Sequence, residues 1–432
     1  MKRIIFISAF FVCVALNAQQ LASIYKGGDI KLVADAGYAK NVEWDKQFSD
    51  FDQTAWGKTV GLYKQIVVAP DGSVFMSHHT RHSISKFDRN GNFVKGFGKK
   101  GGKSPADFIY MPSVQGILDG KYLYTTAVDG RMHFFDLNGN WVRTIKLKYM
   151  PLGTMPMKGG KIAILGHVPS GNGAKHIISL LNYSDGKEKI ISSTFEPYTS
   201  SDKNSIKITP YFYKDKNGKE QHIGQWFSCS LPFSHSSYYR VRFATNSAGN
   251  LVAAYPSTGE IVIFDNTGKK LRQFKADLKP EVITREDRED YYQNAAKDMK
   301  RLEVEVAKRT DDKDKEYWNN YVVQYKQQLE KFRDPANYPS TLPYFSEMMV
   351  DSENNILLFR FTREEGSNKF DVYTFNSQGT EIATSSFLTD KYDLKINPAV
   401  FRFHNGSIYS ILKVKSAVGN PLRLVKFDLK KN

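Results

Sequence analysis

Residues 66–97 of the chain read IVVAPDGSVFMSHHTRHSISKFDRNGNFVKGF. Four short segments in this stretch are rich in β-branched and aromatic residues, at 66–69, 74–77, 84–87 and 93–97. Polar turns separate the segments, and such turns with glycine after Asp or Asn are typical of β-hairpins. The stretch therefore predicts a small antiparallel sheet of four strands.

The end of the third segment belongs to a motif that recurs along the chain. An aromatic residue is followed by a polar turn and then a glycine. The copies are residues 87–91, 135–139, 183–186, 264–268, 375–379 and a degenerate copy at 427–431. They begin 48, 48, 81, 111 and 52 residues apart, so two of the intervals contain insertions. Four strands per copy predict an all-β, six-bladed β-propeller, with a β-sandwich as the alternative.

The two ends of the chain are expected to meet in the sixth blade. No residues follow the last copy that could form its fourth strand, because the sequence stops at Asn432. Residues 29–36, DIKLVADA, form an unassigned strand pattern before the first blade. We expect this N-terminal strand to close the last blade, which would remove the exposed edges of an open sheet.

A helical pattern occupies residues 277–338, between blades four and five. Thr284 and Asp287 have the spacing of a capping box. Apolar residues then recur three and four positions apart in two runs, which predicts two antiparallel amphipathic helices. A second insertion, rich in aromatic residues, spans about 195–239. Both are expected on the face opposite the glycine turns, where the hairpin would be a lid, a partner-docking arm or a buttress.

Residues 1–18 have the pattern of a secretory signal peptide. Lys2 and Arg3 precede an apolar stretch that ends in Ala18, where cleavage is expected. Cys13 lacks the small residues that a lipoprotein signal places before its cysteine. The predicted mature chain, residues 19–432, is therefore periplasmic or secreted and has no transmembrane segment. Its oligomeric state stays open.

The net charge of +16 favours anionic partners. The helical insertion is slightly acidic, so the positive charge belongs to the remaining residues. Acidic glycans and anionic envelope surfaces fit this charge, although solubility alone is the alternative explanation. No nucleic-acid-binding motif is present, and nucleic acid is not predicted as a partner.

Candidate ligand-binding residues come from the first strands and from the loops between the second and third strands. They are His78, His79, Arg81, Arg131, Arg242 and Arg402. The first strands also offer Gln65, Gln115, Thr154 and Glu347. Only one of these is acidic, which does not favour an acidic metal cage. In a strand, adjacent side chains point to opposite faces, so His78 and His79 cannot easily share one metal ion. A metal site there would need ligands from other blades, and a solvated loop is the alternative. No metal ligand and no cofactor are assigned.

Residues 67–108 resemble the NHL-repeat family. The stretch contains that family's pieces in order, as DGSVF, ISKFDRNGNFV and FGKKG. The signal pattern, the helical insertion and the length resemble exported six-bladed propellers common in Bacteroidetes. The resemblance implies fold and location. Some NHL relatives are enzymes, including a zinc-dependent amidating lyase with channel histidines, and His78, His79 and Arg81 are the local match.

Two classes of function follow from these features. The sequence favours an exported cell-envelope binding or scaffold protein that recognises an anionic ligand, a glycan or a protein partner on the face with the insertions. The alternative is a metal-assisted lyase or hydrolase with its site at the mouth of the central channel. Fold alone does not decide between them, and no catalytic residue is assigned.

Overall fold

The computed structural model describes most of the chain after the predicted signal peptide. The described residues are 20–26, 28–49, 65–78, 81–101, 104–170, 173–194, 211–214, 220–223, 240–331, 333–338, 340–361, 368–394, 401–415 and 419–431. Two compact units are present. The β unit contains residues 1–195, 241–277 and 345–432, and the helical unit contains residues 196–240 and 278–344. The predicted signal peptide and His79 lie outside the described residues.

The β unit begins with three short elements and continues with four-stranded sheets. The first elements are α1 (Gln20–Tyr25), β1 (Asp29–Ala34) and α2 (Trp44–Gln47). The first sheet contains β2 (Ile66–Val68), β3 (Val74–His78), β4 (Ser83–Phe87) and β5 (Phe93–Phe97). The second contains β6 (Ser113–Leu118), β7 (Tyr122–Thr126), β8 (Arg131–Asp136) and β9 (Trp141–Lys146). The third contains β10 (Met150–Met157), β11 (Lys161–Ser170), β12 (Gly173–Asn182) and β13 (Glu188–Thr194).

The remaining strands follow the two parts of the helical unit. That unit holds β14 (Tyr211–Lys214) and β15 (Glu220–Ile223), which pair with each other. The fourth sheet contains β16 (Arg242–Thr245), β17 (Leu251–Tyr255), β18 (Glu260–Phe264) and β19 (Lys270–Lys275). The last strands are β20 (Glu347–Val350), β21 (Ile356–Phe359), β22 (Lys369–Phe375), β23 (Glu381–Leu388), β24 (Tyr392–Asp393), β25 (Phe401–His404), β26 (Ser407–Val414) and β27 (Leu422–Lys431). Within each four-stranded sheet the strands pair antiparallel in sequence order, as in a β-propeller.

The N-terminal strand pairs with the C-terminal strand, as the sequence predicted. β1 runs antiparallel to β27, with Ile30 opposite Lys431 and Ala34 opposite Phe427. β25, β26, β27 and β1 thus form four consecutive antiparallel strands. The degenerate sixth motif is part of β27 and makes no turn. A turn is not needed there because the next strand of the sheet comes from the other end of the chain.

The recurring motif has a physical explanation at each of its positions. Phe135 is fully buried, and Asp136 closes the turn by accepting backbone hydrogen bonds of 2.8 Å from both Asn138 and Asn140. Gly139 adopts a φ of +80°, which glycine tolerates best. Equivalent side-chain caps are made by Asp88, Asp265 and Asn376. The hydroxyl of Thr267 and nearby backbone amides hold the pKa of Asp265 below its ordinary value.

The motif glycine also sets how closely one sheet follows the next. A Cβ atom at Gly139 would lie 2.7 Å from the ring of Phe97, which belongs to the preceding sheet. The same relation joins Gly379 to Phe274, at 2.6 Å, and Gly268 to Ile191. Each of these three glycines therefore serves two purposes, because it allows a positive φ and admits an apolar side chain from the neighbouring sheet.

The helical unit contains the predicted pair of antiparallel helices. The first is α3 (Arg285–Ala307), with Thr284 and Asp287 forming the predicted capping box, and the second is α4 (Asp312–Lys331). The start of α3 packs against the end of α4, since Ala295 and Leu329 share one apolar cluster. A 3₁₀ helix (Pro335–Asn337) follows. The pair is closed at its base by a backbone hydrogen bond of 3.0 Å from Ile283 to Ser340.

Strand β1 is expected to contribute to the stability of the β unit through one buried side chain. Leu32 is 3% exposed within an apolar cluster that includes Phe387 and Phe427, whereas its neighbour Lys31 is exposed and pairs with Asp390. We expect Leu32→Ala to lower the free energy of unfolding by about 2–4 kcal/mol. Lys31→Ala, the matched control, should change it by less than about 1 kcal/mol. Urea denaturation monitored by circular dichroism measures both, and equal effects would contradict this role of β1.

The helix pair is expected to be removable. Because Ile283 and Ser340 are already hydrogen-bonded, a short glycine-rich turn can replace residues 284–339. The shortened protein should keep its β-sheet circular dichroism and a cooperative thermal transition, since α3 and α4 bury their apolar residues on each other. Leu329→Asp is a companion variant that should lose helical signal while retaining the sheets. An insoluble or molten deletion variant would show that the hairpin is integral to the fold.

Candidate functional site

His78 occupies a core position at the end of β3. Its side chain is fully buried, and its Nε2 atom lies 2.9 Å from the hydroxyl of Ser85. That hydroxyl donates in turn to the amide oxygen of Gln47, at 3.4 Å. The arrangement links the first sheet to α2 and gives His78 a structural environment. His79, the next candidate, lies outside the described residues.

Arg81 and Arg131 are bound to nearby protein groups. Arg81 Nη2 donates to the carbonyl of Lys46 at 2.8 Å and to the hydroxyl of Ser49 at 2.7 Å. Arg131 Nε lies 2.9 Å from a carboxylate oxygen of Asp129, within the turn between β7 and β8. Both arginines therefore help to hold loops in place.

Arg242 forms an ion pair between two first strands. Its Nε atom lies 3.0 Å from a carboxylate oxygen of Glu347 and donates to the carbonyl of Ser346 at 2.9 Å. The two charged side chains are only 13% and 17% exposed. Because β16 and β20 are neighbouring first strands, this pair ties the fourth sheet to the next. Its two charges offset each other.

Arg402 has a different environment from Arg242. Its Nε atom donates to the carbonyl of Ile66 at 3.1 Å, which joins β25 to β2. Across the described part of the chain this is the hydrogen bond that its guanidinium makes, and no carboxylate is paired with it. Burial lowers the pKa of Arg402 to about 10, partly opposed by the nearby Tyr124 hydroxyl. A desolvated guanidinium without a carboxylate partner is a candidate for binding an anion.

Polar side chains from three other first strands meet near Arg402. Gln65 Oε1 accepts hydrogen bonds from the hydroxyl of Ser113 and, at 3.4 Å, from Gln115 Nε2. Thr154 donates to Gln115 Oε1 at 3.4 Å and lies 3.3 Å from the hydroxyl of Tyr124. These residues and Arg402 are called the polar inner cluster below: Gln65, Ser113, Gln115, Tyr124, Thr154 and Arg402.

The fold assembles this cluster by bringing first strands together. β2 lies beside β6 and β25, and β6 lies beside β10, so each strand adds side chains from a different sheet. Gly116 makes room for Tyr124, because a Cβ atom there would lie 2.9 Å from the tyrosine ring. Burial raises the pKa of Tyr124, which keeps its hydroxyl protonated. The cluster is therefore a set of neutral polar groups around one cation.

Sequence reasoning identified part of this cluster. Gln65, Gln115 and Thr154 were placed on first strands, and Arg402 was a candidate ligand-binding residue. Ser113 and Tyr124 were missed. Ser113 precedes Gln115 by two positions and so shares its side of β6, which was an available signal. Tyr124 lies on a second strand, and no sequence pattern indicates that its hydroxyl reaches the first strands.

No group of three or more His, Cys, Asp or Glu side chains in the described part of the chain lies close enough together to hold a metal ion. Among the described helices, none has the length and apolar character needed to cross a membrane.

Comparisons with known proteins return distant structural similarities. No protein-family model matches the chain, and no curated protein sequence matches it significantly. A DUF4221-family member from Bacteroides vulgatus is 12% identical, with a TM-score of 0.47, over 94% of this chain and 99% of its own. A Bacteroides fragilis protein described as exported is 9% identical, with a TM-score of 0.43, over 85% and 90%. Virginiamycin B lyase from Staphylococcus aureus is 12% identical, with a TM-score of 0.38, over 85% and 95%.

The environments of Arg402 and Arg242 predict opposite effects of the same substitution. Arg242→Met should lower the free energy of unfolding by about 3 kcal/mol, because it breaks the partly buried ion pair with Glu347 while the Glu347 carboxylate stays poorly solvated. Arg402→Met should leave it unchanged or raise it by up to about 2 kcal/mol, because it removes a desolvated charge that no carboxylate of the described residues balances. Urea denaturation in low-salt chloride buffer measures both. A loss at Arg402 as large as that at Arg242 would show that Arg402 is a structural residue.

Proposed function

We propose that the chain is an exported cell-envelope binding protein, and that it holds an anionic ligand at the polar inner cluster of a six-bladed β-propeller. The observation that carries the proposal is Arg402, a desolvated guanidinium whose charge is not balanced by a carboxylate among the described residues. Sites that bind ligands often contain charges whose retention costs stability.

The strand pairing supports the six-bladed architecture. Four sheets are separate, and the remaining strands supply two more groups of four, namely β20–β23 and the group β25, β26, β27 and β1. β1 also pairs in parallel with β23 along Asp29–Lys31, which joins these two groups. Six blades would place the polar inner cluster along the wall of a central channel, a usual position for propeller ligands.

Export and an anionic ligand are supported by the sequence. Residues 1–18 have the order of basic, apolar and small residues that secretory signals use. The net charge of +16 would attract acidic molecules of the envelope and raise their local concentration. An acidic glycan of the cell envelope is therefore the proposed ligand class. Arg242 is paired with Glu347 and supports the cluster from a neighbouring strand.

The test is binding of acidic oligosaccharides to the mature protein. The panel contains uronic-acid, sulfated and neutral oligosaccharides of equal length, measured by calorimetry at a fixed ionic strength. We expect the wild type to bind at least one acidic class and to ignore the neutral one. Arg402→Gln should weaken that binding about tenfold or more, the loss of a hydrogen-bonded charge.

The matched control is Arg272→Gln, which removes an exposed arginine from the outer strand β19. It lowers the net charge by the same amount and should leave binding unchanged. Equal losses in both variants would show that net charge attracts the glycan and that the cluster is not its site. Wild-type binding by Arg402→Gln would overturn the proposal.

A further inference from the structure

The hydrogen bonds inside the polar inner cluster occupy at least one lone pair on the side-chain oxygens of Gln65, Ser113 and Gln115. Gln65 Oε1 receives Ser113 and Gln115, Ser113 Oγ receives Gln115 Nε2 at 3.0 Å, and Gln115 Oε1 receives Thr154. Several N–H donors of the cluster have no acceptor among the described residues. They are the Nε2 amide group of Gln65 and the two Nη groups of Arg402, none of which makes a hydrogen bond to a described residue. A group that only accepts hydrogen bonds is the complement of such a site.

The charge of the cluster limits the ligand group further. Arg402 is its one ionisable cation, and the neighbouring side chains are uncharged amides and hydroxyls. In a poorly solvated site, an anion is stabilised when a cation of the protein balances its charge. Any negative charge beyond that balance is desolvated without compensation, which costs free energy. One negative charge fits one guanidinium. A phosphate monoester carries about two negative charges at neutral pH, and the cluster offers no second cation for it.

The geometry of Arg402 suits a group with two oxygen acceptors side by side. Its Nε atom is committed to the carbonyl of Ile66, so the end of the guanidinium formed by Nη1 and Nη2 remains available. Two parallel N–H bonds from that end match the two oxygens of a carboxylate. Gln65 directly precedes Ile66, whose carbonyl anchors Arg402, and its side-chain oxygen is already bound to Ser113, which leaves its amide group as the donor nearest to this anchor along the chain.

We infer that the polar inner cluster is a receptor for a single carboxylate group, held by the Nη end of Arg402 with the side-chain amide of Gln65 as second donor. The inference rests on the proposed function and narrows its ligand to a carboxylate-bearing molecule, such as a sugar acid. It disfavours phosphate esters, whose second negative charge has no cation in the cluster, and sulfate esters are the competing monoanions that the test compares with it.

The experiment uses simple anions as probes of the mature protein. Thermal unfolding is measured in sodium acetate, sulfate, phosphate and chloride at one ionic strength and one pH. A ligand that binds the folded state raises Tm with its concentration. Acetate should raise Tm above the chloride value in a saturable way that depends on Arg402. Sulfate and phosphate should give only the non-saturating rise that excluded salts give to folded proteins, and it should be the same in Arg402→Gln.

Two substitutions separate a site from a general salt effect. Arg402→Gln should raise the apparent Kd for acetate at least about tenfold. Gln65→Glu keeps the side-chain shape but replaces the donating amide with a second carboxylate, and it should abolish the acetate effect. Arg272→Gln should respond like the wild type. Circular dichroism establishes that each variant is folded, and Gln65→Glu keeps the test valid if Arg402→Gln fails to fold.

Each other outcome overturns the inference in a recognisable way. Equal stabilisation by acetate and sulfate, lost in Arg402→Gln, would leave an anion site and remove its preference for carboxylate. Acetate stabilisation that persists in both cluster variants would place carboxylate binding elsewhere. Binding of sulfated oligosaccharides that requires Arg402, together with no effect of acetate, would support the proposed function and refute the preference for a carboxylate. Loss of all Arg402-dependent binding would refute both.

Discussion

The close packing of successive sheets depends on glycines that lie in capped turns. In the second sheet, Asp136 closes the turn while Gly139 accepts the ring of Phe97 from the first sheet. A larger residue would be strained by the positive φ and would also push the neighbouring sheet away. The turn thus involves only neighbouring residues in sequence, but it determines how closely the second sheet packs against the first. The same contact recurs at Gly268 and Gly379, and the polar inner cluster forms where first strands of adjacent sheets lie side by side.

Pairing between the two ends of the chain completes this arrangement. β27 continues through the place where earlier copies turn, and β1 supplies the neighbouring strand. The N-terminal segment is held further by Tyr25, whose hydroxyl donates to Asp351 at 2.9 Å, and by Glu353, which accepts from the amide of Leu21. Burial raises the pKa of Asp351. The cluster draws on β25 and β2 from opposite ends of the sequence, so chain closure and site assembly are coupled.

Local patterns made most of the fold predictable, whereas the site depended on information that is not local. Thr284 and Asp287 form the expected capping box, and the strands of the first sheet fall within about one residue of their predicted bounds. Such features need only neighbouring residues. Arg242 and Arg402 look alike in sequence, yet Glu347 pairs with one of them alone. That difference depends on which strands become neighbours in the fold. His78 is a second example: the sequence predicts a loop position for it, whereas its side chain is buried at the end of a strand.

The contrast between these two arginines connects stability with binding. A partly buried ion pair such as Arg242–Glu347 resists separation, because either charge left alone would be poorly solvated. Arg402 is already a poorly solvated charge without a carboxylate partner, because its one hydrogen bond among the described residues goes to the uncharged carbonyl of Ile66. An arriving anion would therefore replace a deficit of solvation with a charge-assisted pair. Because Arg402 is anchored through Nε, little side-chain entropy remains to be lost on binding.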